Sequence, residues 1–88
     1  AAAWSADVQR RLMARIENDV RQGGAKSLRN GGRLALSEWG EEQMHGWREA
    51  GESMLAPLAA VGGAPVVDMG ALVATFYQNA VRSLIDGE

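Results

Sequence analysis

The sequence contains no cysteine, which removes disulfide staples, thiolate metal sites and cysteine nucleophiles from consideration. Histidine occurs once, as His45. A lone imidazole leaves a serine triad or a cysteine–histidine pair without its parts, and no nucleophile motif surrounds it, so a non-enzymatic role is expected. Aromatic residues make up only 6%, so the anchors of a hydrophobic core are few. No basic stretch followed by an apolar one opens the chain as a secretory leader would. The start at Ala1 rather than at methionine fits a chain processed or cut from a longer one. Together with the missing cysteines, these features lead us to expect a soluble protein of the cytoplasm.

Long apolar runs are scarce too. Residues 54–77 carry a single charge, Asp68, over a length that could cross a bilayer. Gly62, Gly63 and Pro65 interrupt the run, and backbone exposed there would be unsatisfied in lipid. Two helices meeting at a turn is the better reading, and no membrane partner is expected.

What is present is an ordinary globular balance, 47% hydrophobic and 23% charged over 88 residues, which makes one domain spanning 1–88. A chain this short buries only about 60% of its unfolded surface. A thin core is easier to stabilise by pairing chains. Charge is sorted along the chain. Residues 1–33 hold seven cations against three carboxylates, a net of +4, whereas residues 34–88 hold Arg48 and Arg82 against eight, a net of −6. Such polarity favours an anionic partner at the first third, or the acidic part of another copy.

Hydrophobic spacing predicts an all-α fold of three helices, near 5–22, 37–61 and 67–86, assembled as an oligomeric helical bundle. Ser5 is placed to cap the first helix, in which Trp4, Val8, Leu12, Ile16 and Val20 recur every four residues. Asp7 with Arg11 and Glu17 with Arg21 stand at i,i+4, and Gly23-Gly24 supplies a stop. Residues 23–36 read as a connector, with room for one helical turn around Lys26–Arg29 and a brief extended piece at Leu34–Leu36. Ser37 would cap the second helix. There Gly40, Met44, Trp47, Gly51, Met54, Leu58 and Val61 form a heptad seam, and Pro57 should kink or locally break the helix. Gly40 and Gly51 would mark a close approach of another helix, with Trp39 covering the surface near Gly46 and Ala50. Asp68 caps the third helix and Gly87 ends it. Its apolar arc of Met69, Leu72, Val73, Phe76, Tyr77, Ala80 and Leu84 is wider than one neighbour covers.

Several constellations carry weaker chemistry. Glu42 and His45 form the Glu-x-x-His half of a di-metal site, but the seam turns them outward, so no metal and no cofactor is expected. Gly23-Gly24-Ala25-Lys26-Ser27 lacks the glycines of a phosphate loop at positions 20 and 25, occupied by Val20 and Ala25, and follows a helix instead of a strand. Trp4 is placed to anchor in a neighbour.

The reading that results is a self-associating helical subunit, an adaptor, scaffold or structural component of a larger assembly such as a virion. Its expected partner is itself, with room for another protein besides. The expected oligomer interface comprises Met44, Trp47, Gly51, Met54, Leu58, Met69, Leu72, Val73, Phe76, Tyr77 and Ala80. The second reading is nucleic-acid binding by the basic third. On either reading Arg11, Arg15, Lys26, Arg29 and Arg33 would touch an anionic partner. Against nucleic acid stand a pI of 5.3 and the lack of aromatics between the basic residues.

Overall fold

A computed structural model describes residues 6–63 and 66–87. Trp4, Ser5 and Pro65, singled out above, lie outside them. Helix makes up 91% of the described residues, with no strand among them. The elements are α1 (Ala6–Asp19), a π turn (Val20–Gly24), α2 (Ala25–Ala60) and α3 (Met69–Asp86).

The expected connector at 23–36 is helical instead. Gly23 and Gly24 do not stop α1; they lie in the π turn, which carries the helix directly into α2. Their missing side chains have a packing cause. A Cβ on Gly23 would lie 2.8 Å from the Trp39 ring, and one on Gly24 would lie 3.1 Å from it. Trp39 therefore covers these two glycines, not Gly46, above which the space is open. Ser37 is mid-helix and caps nothing.

The chain turns at Gly32, with φ 74° and ψ −163°, the one non-helical residue inside α2. That combination is essentially restricted to glycine. Beyond it the chain runs back along α1: Gly23 meets Trp39, Asp19 meets Trp47 and Leu12 meets Gly51. Rising numbers on one leg meet falling numbers on the other, which defines an antiparallel helical hairpin with its apex at Gly32. α2 does not break at Pro57; its backbone dihedrals stay helical to Ala60. The helix ends at Gly62, φ 73°, where Gly63 N–H reaches the Leu58 carbonyl at 2.9 Å and Gly62 N–H the Ala59 carbonyl at 3.0 Å. This is a Schellman closure, for which glycine is the usual residue.

Asp68 caps α3 as its position predicts, its Oδ1 accepting from Ala71 N–H at 3.1 Å. α3 then packs into the hairpin antiparallel to the second leg. Met69 lies at Gly51 and Tyr77 at Gly40, so the two seam glycines are indeed where another helix comes close, but that helix is the chain's own. The core is Leu12, Ile16, Val20, Trp47, Met69, Val73 and Ala80. It fills the axis of a three-helix bundle measuring 45 × 22 × 17 Å.

Candidate interaction surfaces

Trp47 is the centre of the bundle. Its ring is 1% exposed and meets Trp39 edge-on at 5.8 Å and Tyr77 at 5.5 Å between centroids. The indole N–H donates to Asp19 Oδ2 at 2.8 Å, and Asp19 is also approached by Arg15 Nε at 3.9 Å. The Tyr77 hydroxyl donates to the Leu36 carbonyl at 3.3 Å. Burial, and secondarily the carboxylate of Glu41, push the Tyr77 phenol above its usual range. Among the described residues no buried side-chain nitrogen or oxygen lacks a partner.

Of the residues expected at an oligomer interface, Trp47, Gly51, Met69, Val73 and Ala80 are buried within the chain itself. Met44, Met54, Leu58, Leu72, Phe76 and Tyr77 remain half-buried. They do not make one face. Met54 and Leu58 join Val8, Ala50 and Pro57 in a 550 Å³ groove between α1 and α2, with Arg11 and Arg15 along its edge. Phe76 faces Met13 and Gln9 across a 260 Å³ groove between α1 and α3, bordered by Arg10. Val61, from the end of the seam, is 80% exposed, and Leu34 at the apex is 72% exposed.

The basic residues also divide. Asp7 pairs with Arg10 at 3.1 Å and not with Arg11, so Arg11 lies beside the groove without an ion-pair partner among the described residues. Glu17 and Arg21 border one cleft without forming the expected pair. Lys26, Arg29 and Arg33 are exposed at the hairpin apex, far along the rod from Arg11 and Arg15. The π turn separates the two sets further, because its extra residue rotates the following faces by about 100°.

Sequence reasoning missed Asp19 as the partner of Trp47, and Arg82, which shares with Arg33 a 280 Å³ cleft floored by Leu36, Val81 and Ile85. Neither had a local signal: both relationships exist only once the chain has turned at Gly32. His45 is exposed and bonds Glu49 at 2.8 Å. Among the described residues no group of three or more histidines or carboxylates is gathered as a metal would need, and no helix is long and apolar enough to cross a membrane. Comparison with protein-family models, with curated proteins and with solved structures finds no match for this chain.

Proposed function

We propose that this chain is a non-enzymatic helical subunit that associates with copies of itself, as an adaptor, scaffold or structural element of a larger cytoplasmic assembly. The observation that carries the reading is how much surface the monomer leaves uncovered. Its radius of gyration is 14.2 Å, against about 12 Å for a compact chain of this length. Its accessible surface is 5564 Å², against about 5,000 Å² for a folded monomer of this mass.

Part of that surface is apolar and lies in grooves on both sides of α1. Met54 and Leu58 supply one side and Phe76 the other, with Leu72 nearby on α3. Arginines along both grooves, and carboxylates on the outer face of α2 at Glu42, Glu49 and Glu52, give copies complementary charges that set orientation.

The test is the mass of the purified chain by light scattering over a dilution series. A species heavier than the 9.4 kDa monomer at micromolar concentration is expected. Its melting temperature should fall on dilution, as linked oligomers require. Met54→Glu with Phe76→Glu should yield monomer that remains helical. A wild-type monomer whose melting temperature ignores concentration sinks the proposal.

A further inference from the structure

The apex of the hairpin differs from the rest of the surface. Between Asp19 and Glu38 the chain has no acidic residue, while it carries Arg21, Lys26, Arg29 and Arg33. All four are exposed, and none forms an ion pair among the described residues. Residues 29–34 are all exposed, and the last turns of α3 reach this end of the hairpin at the cleft that Arg33 shares with Val81, Arg82 and Ile85. Asp86 is the α3 carboxylate nearest this end.

Two apolar features accompany the charge. Leu34 projects at the apex, 72% exposed, immediately after Arg33. Behind it, Arg33 and Arg82 border the same cleft, whose floor is Leu36, Val81 and Ile85 and whose lining includes no carboxylate. Two arginines bordering an apolar slot suit an anion with a hydrocarbon part.

We propose that the hairpin apex docks on an anionic phospholipid bilayer, with Lys26, Arg29, Arg33 and Arg82 against headgroup phosphates and Leu34 entering the interface. A surface contact of this kind makes no demand for a spanning helix; it combines cations with a small buried apolar area. A nucleic acid would use the same cations but has no use for Leu34 or for the apolar cleft, and this decides between the two partners. The apex lies at the end of the rod, away from the grooves beside α1, so docking and self-association are separate properties. An assembly would multiply the effect of a weak single contact.

The test is co-sedimentation of the full chain with vesicles of phosphatidylcholine containing about 30 mol% phosphatidylserine. The protein should pellet with these, not with phosphatidylcholine alone, and should be released when added salt screens the surface charge. Each cation near such a surface is worth about fivefold in partitioning, so Lys26→Gln with Arg29→Gln should lower binding about 25-fold. Leu34→Ser leaves the charge unchanged and should lower it about tenfold. All three side chains are exposed, so both variants should keep the wild-type circular dichroism and light-scattering mass. Absence of pelleting with the anionic vesicles overturns the proposal, as does pelleting that ignores Leu34→Ser. A short DNA duplex bound more tightly than the vesicles, and equally by Leu34→Ser, also overturns it and assigns the apex to nucleic acid.

Discussion

Trp47 and Asp19 join the two legs of the hairpin through one charge-assisted hydrogen bond, 2.8 Å from indole nitrogen to carboxylate oxygen. The ring is buried while the carboxylate is partly open to water, so the bond satisfies a donor that solvent cannot reach. Hydrogen bonds to charged groups contribute about 1.5–3 kcal/mol. Asp19→Ala should lower the unfolding free energy by about that amount in urea titrations. Asp19→Asn, which keeps an acceptor, should recover part of it. An unchanged midpoint in Asp19→Ala would mean that the bond does not hold the hairpin.

Gly51 and Gly46 should respond oppositely to alanine. A Cβ at Gly51 would collide with Met69 Sδ and lie 3.1 Å from Leu12 Cδ2, both buried side chains, whereas nothing lies within 4 Å of one at Gly46. Gly46→Ala should stabilise by about 1 kcal/mol through helix propensity. At Gly51 the same gain is outweighed by overpacking of about 1–3 kcal/mol. Gly51→Ala should therefore be less stable than wild type, and Gly51→Leu less stable still. Stabilisation by both Gly51 variants would show that the close approach to α3 is wrong.

Gly32→Ala tests the turn. No atom lies within 4 Å of a Cβ built there, so any cost comes from the backbone, about 1–3 kcal/mol for this region of φ,ψ. A chain under that strain can straighten into one continuous helix and exchange its second leg with another copy. The expected result is a less stable monomer fold and a larger fraction of swapped dimer by light scattering. Full wild-type stability without a change in mass would argue against the turn.

Tyr77 links stability to alkaline pH. Its folded value is raised by burial, then by Glu41, above an unfolded value of about 10. Below the unfolded value both states keep the proton and the stability associated with Tyr77 is fully present. As pH rises past it, the unfolded state ionises first, and this stability is lost progressively up to the raised folded value. The urea midpoint should fall as pH rises past about 10, and less steeply in Tyr77→Phe. That variant also gives up the bond to the Leu36 carbonyl, about 0.5–1.5 kcal/mol at neutral pH. Equal slopes in the two proteins would remove Tyr77 as the cause.

Much of α3 was legible in the sequence. Asp68 as its cap, Met69, Val73 and Ala80 on its apolar face, and the close approaches at Gly40 and Gly51 all follow from spacing and from the small size of glycine. Helical character, likewise, is a local property, since apolar residues at steps of three and four dictate which stripe must be covered. What covers the stripe is not local. Gly23-Gly24 looked like a stop because glycine lowers helix propensity; the Trp39 ring, sixteen residues on from Gly23, packs against both and the helix continues through a π turn. The chain breaks at Gly32 instead, and that break folds the heptad seam against α1 and α3 of the same chain. The sequence by itself determined an all-helical chain with one apolar stripe per helix and its charges sorted by position. Only the tertiary structure decided which glycine turns the chain, which residues complete the core and which basic side chains stand at the apex, because those outcomes depend on contacts between residues far apart in sequence.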